Sequence, residues 1–214
     1  MIQIDPRNGK RKKNVDFHMN NKIMFETIRQ FAINNSELDD IHGFPHVERV
    51  YKLCLDLGKK LDANLIVLKT AALLHDIGRK EGKDKKIKKN HAELSAELAY
   101  RYLSSQNFIF PEKDLKNIIH SIRSHSFSNN ISPRTLEAKI VSDADKLDAI
   151  GAIGLYRTIG FTVKNKGNIN DVIDHLEGKI IKLRDKLFLD ISKEIAEKRQ
   201  KIVLDFYKEI KNCF

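Results

Sequence analysis

The chain is poor in cysteine and proline and has no long apolar run, and each shortage closes off a class of protein. Its two cysteines, Cys54 within a helical pattern and Cys213 beside the C-terminus, make no disulfide framework, which predicts a reducing, cytoplasmic setting. The longest apolar stretches, Thr70-Ala-Ala-Leu-Leu74 and Ala149 to Leu155, fall far short of the ~18 residues a membrane-spanning helix needs, so no membrane span is expected. The basic cluster near the N-terminus is followed by no apolar segment, so no secretory signal is expected either. Four prolines are too few to interrupt helices often, and no alternating apolar pattern bounded by turn residues suggests a strand. No glycine-rich loop follows a strand, which argues against a phosphate-cradling loop of that kind.

Charge and helical periodicity are abundant instead. Apolar residues make up 41% and charged residues 32%, a globular composition with a heavily charged surface. The net charge of +10 would attract polyanions such as nucleotides, nucleic acid or an anionic surface, although a solvated lysine-rich surface explains it equally simply. Residues 1–20, with Pro6, Asn8-Gly9 and Lys10 to Lys13, read as an irregular basic arm, and residues 21–214 as one helical domain. Ile23, Ile28 and Phe31 suggest a first helix, and Val47, Val50, Leu53, Cys54 and Leu57 a second that stops at Gly58. Asp62 is the expected cap of a third, which runs to His75-Asp76, and Asn90 the cap of a fourth. A fifth begins at Pro111. Ser132-Pro133 opens a sixth that bends around Gly151, and two amphipathic helices, roughly 170–187 and 190–212, finish the chain.

Six of the eight histidines, His42, His46, His75, His91, His120 and His125, fall between residues 42 and 125. His46 lies at the start of a helix. His75 and Asp76 are adjacent in a final helical turn, about 100° apart, where two neighbours can grip one ion. Asp145 lies on a later helix. Two imidazoles and two carboxylates at helix ends make a mixed nitrogen and oxygen site suited to Mn, Fe, Ni, Zn or Co. A metal there would acidify a bound water and polarise a phosphoryl oxygen.

In that order, His46, His75-Asp76 and Asp145 resemble the HD-domain superfamily of metal-dependent phosphohydrolases. The surrounding words are similar to its bacterial branch of small nucleotide-hydrolysing proteins: His46-Val-Glu-Arg-Val50, Leu73-Leu-His-Asp-Ile-Gly78, His125-Ser-Phe-Ser128 and Asp143-Ala-Asp-Lys-Leu-Asp148 with the following Ala149 to Gly154. Lys179 to Leu183 and Ala196-Glu-Lys-Arg199 extend the likeness to roughly residues 40–212. The resemblance implies an all-α fold, an HD-domain helical bundle with additional C-terminal helices. It also implies metal ligands His46, His75, Asp76 and Asp145, holding one divalent transition metal, with Mg an alternative and a second ion left open.

Around that set, Asp76, His91, His125 and Asp148 are the candidate catalytic residues, and Arg79, Lys146 and Arg157 the candidate phosphate clamps. His91 pairs with Ser95 and Ser121 with His125 at helical spacing. Asp143, about 200° round the helix from Asp145, is assigned to a cap or an outer contact, and Asp148, sharing the face of Asp145, to orienting Lys146, a ligand histidine or a water. His18, His42 and His175 read as surface residues. Some members of the superfamily carry acidic residues directly after the His-Asp pair. Here Ile77-Gly-Arg-Lys80 intervenes before Glu81, leaving Asp148 or Glu81 as candidates for a base acting through water.

The resemblance implies hydrolysis of a nucleotide or another phosphorylated small molecule, with cleavage of a (deoxy)nucleoside triphosphate between its α and β phosphates as the specific expectation. The alternatives are a phosphodiesterase of cyclic or oligomeric nucleotides with a binuclear site, and a non-catalytic nucleic-acid binder using Lys10 to Lys13 and Lys83 to Lys89. The last lacks interleaved aromatics for stacking. A homodimer through the C-terminal helices stays open.

Overall fold

The computed structural model describes the backbone of residues 6–83 and 89–213, and the side chains of residues 21–82 and 89–213. His18, Lys10 to Lys13 and most of the Lys83 to Lys89 cluster therefore fall outside the described side chains. Among the described residues the elements are α1 (Pro6–Asn35), α2 (Phe44–Lys60), α3 (Leu65–Leu74), α4 (His91–Ser105), α5 (Glu112–Arg123), α6 (Leu136–Asp148), α7 (Ala152–Lys164), α8 (Ile169–Gly178) and α9 (Asp190–Asn212), with short 3-10 turns between. No strand occurs among them, only an isolated bridge between Glu37 and Gly43, so the all-α expectation holds. No helix of the described residues is long and apolar enough to cross a membrane.

The apolar pattern explains the arrangement. In α3, Val67, Leu68, Ala71, Ala72, Leu73 and Leu74 are all buried, a helix apolar all round, and such a helix must be enclosed by others. It packs against α1, α2, α4, α5 and α6. The amphipathic α2 and α5 each turn one stripe inward, Val47, Val50, Cys54 and Leu57 from one and Ile118 and Ile122 from the other. α7, α8 and α9 pack on one another, and α9 reaches the bundle through α6. Glu137 ties three helices together, accepting from the Asn64 backbone at 2.9 Å and from Asn117 at 2.9 Å.

Several boundaries depart from the sequence reading for local reasons. The segment expected to be irregular is helical from Pro6 onward, a residue tolerated in a first turn, and is followed by lysine and arginine, which are good helix formers. α2 passes Gly58 and ends at Lys60. Asn64, not Asp62, caps α3, because Asp62 adopts a left-handed backbone (φ 52°) and the Asn64 side chain accepts from Ile66 and Val67. Thr135, not Ser132, caps α6. The expected bend around Gly151 is a break: α6 stops at Asp148, and Gly151, at φ 91°, turns the chain into α7. α8 ends at Gly178, short of the expected 187, and 3-10 turns carry the chain to α9. Asp143 takes the role of a cap, since its two carboxylate oxygens accept from the Phe188 and Leu189 backbones at 2.9 Å and pin the start of α9 to α6.

Candidate metal centre

His46 projects from the first turn of α2, while His75 and Asp76 sit just past the last residue of α3, His75 as its C-cap. A bulk-free residue is required immediately after them. A Cβ on Gly78 would lie 2.5 Å from the Ser95 backbone nitrogen, and the Gly78 amide donates to Ser95 Oγ at 2.9 Å, so the His-Asp turn is clasped against α4. That bond occupies Ser95, and Ser121 Oγ turns to Asn117, so neither serine pairs with His91 or His125 as the spacing had suggested. His91 opens α4, His125 follows the end of α5, and Asp145 comes from the last turn of α6. Five segments thus converge on one point.

The ring tautomers can be read from outer contacts. His75 Nδ1 lies 2.8 Å from the Ala72 carbonyl and His125 Nδ1 2.6 Å from the Ile122 carbonyl, so both Nδ1 atoms donate and both Nε2 atoms carry bare lone pairs. His46 Nδ1 donates to Asp148 Oδ2 at 2.7 Å, which aims its Nε2 the same way. The His46 and His75 Nε2 atoms face each other at 3.3 Å, and His46 Nε2 also lies 3.3 Å from Asp145 Oδ1 and 3.5 Å from Asp76 Oδ2. On its other side, Asp76 Oδ1 stands 3.4 Å from His125 Nε2 and 3.6 Å from His91 Nε2. Asp76 Oδ1 and these two nitrogens are buried without a hydrogen-bond partner among the described residues.

Orphaned lone pairs crowded together are costly in an otherwise satisfied interior. They are what a cation requires. Donors about 2.1 Å from a common ion stand roughly 3–3.5 Å apart in tetrahedral or octahedral coordination, close to the spacings here. The donors form two groups, His46, His75 and Asp76, and Asp76, His91 and His125, which share Asp76 through different oxygens. Asp145 stands beside the first, with its Oδ1 3.3 Å from His46 Nε2. The residues present therefore fit one or two divalent ions, and the second group includes two histidines that the sequence offered as ligands only for a binuclear site.

Charge supports the same reading. Burial alone would raise the Asp76 carboxyl, but Arg79 and the surrounding histidines hold it well below the usual carboxylate range, as His46 does for Asp145. Burial pushes His75 down to about 4 and His91 to about 3, so both are neutral ligating forms near neutral pH. His46 differs: burial and Arg157 depress it, but Asp145, Asp148 and Asp76 outweigh them and carry it up to about 9. Metal-free His46 is then protonated at neutral pH, and an ion must displace that proton. Loading of the group that contains His46 should release about one proton per chain at pH ~7.5, and its apparent affinity should rise about tenfold per pH unit up to about 9, then level. Calorimetry in buffers of different ionisation enthalpy measures the release, and no release would refute the assignment of His46 as a ligand.

The remaining residues separate. Arg79 Nε bonds Asp76 Oδ2. Asp148, assigned by sequence to the catalytic set, is fully engaged. It accepts from His46, from Arg49 Nε at 2.7 Å and from Arg157 Nη1 at 2.8 Å, and Arg157 Nε is spent on the Ile41 carbonyl. Asp148 is thus a positioning residue. Arg49 was missed, although it lies one helical turn after His46 in the same quoted word. Glu81 lies exposed in a 3-10 turn. His120 accepts from the Arg134 backbone and is no ligand.

Beside the donors lies a cavity of about 510 Å³, a size suited to a nucleotide-sized ligand. Arg79, Lys89, His91, Arg157 and Lys179 give it a basic wall. His42, Phe161 and His175 form another, with ring centroids 5.5 Å apart between His42 and Phe161 and 5.9 Å between Phe161 and His175. The surface reading of His42 and His175 is therefore corrected: both line this cavity, His42 from the loop before α2 and His175 from α8, on either side of Phe161 of α7, and an isolated histidine carries no sequence signal of such a neighbour. Lys146, expected to clamp phosphate here, lines a different cavity because its ammonium folds back to Ser142.

Comparison with known proteins gives a consistent result. Residues 43–150, about half of the chain, match the HD domain family. The chain is 31% identical to YpgQ, an uncharacterised protein of Bacillus subtilis, over 79% of this chain and 82% of that one. The crystal structure of YpgQ in complex with ADP superposes with a TM-score of 0.72 at 28% identity, covering 91% of this chain and 96% of that one. An HD-superfamily hydrolase of Bacillus thuringiensis matches at a TM-score of 0.66 and 25% identity, over 89% and 96% of the two chains. Ribonuclease Y of Thermoanaerobacter pseudethanolicus is 30% identical over 56% of this chain, which spans only 21% of that longer protein.

Proposed function

The chain belongs to the HD domain family, and on that premise we propose that this metal-dependent phosphohydrolase cleaves a nucleoside triphosphate between its α and β phosphates, releasing pyrophosphate. The observation that carries this reading is the pair of donor groups sharing Asp76 beside a cavity with a basic wall and an aromatic wall. The binding of ADP by YpgQ supports a nucleotide on this scaffold. Residues 21–214 act as the functional domain, and the free cysteines Cys54 and Cys213 accord with a reducing cytoplasm.

His46, His75, Asp76 and Asp145 would hold one divalent ion and Asp76, His91 and His125 a second, which would supply an acidified water and neutralise phosphoryl charge. Every other contribution comes from the chain. Arg79, Lys89 and Lys179 line the cavity as cations for the polyphosphate, with Arg157 fixed at its floor by Ile41 and Asp148. Neutral His91 reaches the cavity edge, where it can hold a phosphate oxygen's proton or an ion. His42, Phe161 and His175 present ring faces to the rest of the nucleotide.

A second reading, a phosphodiesterase of cyclic or oligomeric nucleotides with two ions, is favoured by one observation: the two Asp76 oxygens address different donor groups. A panel of nucleoside mono-, di- and triphosphates, cyclic dinucleotides and short RNA, assayed with Mn, Co, Ni and Mg, separates the two. Pyrophosphate and a monophosphate from triphosphates are expected. Turnover confined to phosphodiesters would overturn the first reading in favour of the second.

A further inference from the structure

A second cavity, of about 410 Å³, shares no lining residue with the one beside the metal ligands. Ser124 and Ser126, on either side of His125, form part of its wall, together with Ser142 and Lys146 of α6. Lys146 is 5% exposed. Its ammonium donates to the Ser142 carbonyl at 3.1 Å and to Ser142 Oγ at 2.6 Å, which leaves its third proton without a hydrogen-bond acceptor among the described residues. No described carboxylate pairs with it at contact distance: Asp145 and Asp143 of the same helix act on it only through space, and the acid of the lining, Asp185, is on an exposed residue. Burial of this ammonium outweighs the pull of those two distant carboxylates, and an anion arriving in the cavity at contact distance would offset that cost.

The rest of the wall suits an organic anion. Lys186 adds a second ammonium, 3.4 Å from the centre of the Phe127 ring, and Lys146 lies 5.1 Å from that of Phe188. Phe127 and Phe188 are 57% and 43% exposed, so two aromatic faces stand at a cavity far larger than one phosphate needs. The cavity also has a link to the metal centre: Ser142 Oγ, which accepts from Lys146, donates to the His125 carbonyl at 3.0 Å.

We propose that this cavity is a second anion site, which takes the phosphoryl group of a small phosphate monoester on Lys146 and Lys186 and its organic part between Phe127 and Phe188. Binding there needs no reaction at the metal centre, and its test requires no turnover.

Amide chemical shifts of the metal-loaded, full-length chain should be followed during titration with inorganic phosphate, a pentose phosphate and AMP. Saturable shifts are expected at Phe127, Asn130 and Phe188, lost or weakened at least about tenfold in Lys146→Met. The surface variant Lys186→Gln with Phe127→Ala should weaken them as well, and it decides the matter should the buried substitution fail to fold. AMP binding more tightly than the other two would assign the aromatic faces to a base, and equal binding of AMP and the pentose phosphate to a sugar. Absence of shifts at these amides with all three ligands, or shifts that survive the surface variant undiminished, would overturn the proposal.

Discussion

Asp76→Asn is expected to lose hydrolysis by a factor of at least about 1,000, to lose the ion of one donor group and to hold that of the other more weakly. The reasoning starts from the carboxylate's two oxygens, one 3.5 and 3.6 Å from the ligating nitrogens of His46 and His75, the other 3.4 and 3.6 Å from those of His125 and His91. An amide keeps the shape but replaces one anionic oxygen with an NH2, which presents protons where lone pairs are needed. Whichever way the amide turns, one group loses its oxygen. The helices should remain, because Asp76 supports no element of the core. Elemental analysis after dialysis and far-ultraviolet circular dichroism check the two halves. A variant that retains its ions while losing turnover would assign Asp76 to the chemistry and not to metal retention.

The same carboxylate marks how far the sequence could be read. His75-Asp76 stood out as adjacent candidate ligands in a helix's final turn, whereas His46 and Asp145 were singled out by the family resemblance, since helical pattern alone joins neither to them. A second donor group with His91 and either His120 or His125 was legible only as the alternative binuclear reading, and the choice of His125 over His120 was not. It depends on the close approach of α4 to the His-Asp turn, permitted by Gly78, and on His125 lying beyond α5 instead of on it. Helical spacing linked these histidines to serines that the fold uses elsewhere. The bundle was foreseeable from apolar stripes. The break at Gly151 was harder to see, since glycine in a helical pattern signals bend and break alike and only a positive φ separates them. The walls of the large cavity were the least visible part, because His42, Phe161 and His175 meet through packing between helices that no local pattern records.

Asp148→Ala is expected to destabilise the metal-free protein by about 3–5 kcal/mol, since it strips the shared counter-ion from Arg49 and the buried Arg157. It should also weaken metal binding by about 10–100-fold, because the His46 ring loses the partner that fixes its tautomer and aim. The two effects are separable. Chemical denaturation without metal reads the first, and metal titration of the folded variant the second. A role as general base predicts something different. Burial raises the Asp148 carboxyl, but His46, Arg49 and Arg157 hold it at about 2, too weak a base to take a proton from water near neutral pH. Loss of a base would lower kcat at every metal concentration. Loss of a positioning residue should be overcome by excess metal, with kcat returning most of the way once the ligands are saturated. Asp148→Asn, whose amide oxygen can still accept from His46 Nδ1, should fall between wild type and alanine in metal affinity. A kcat that stays depressed at saturating metal in both variants would return Asp148 to the chemistry.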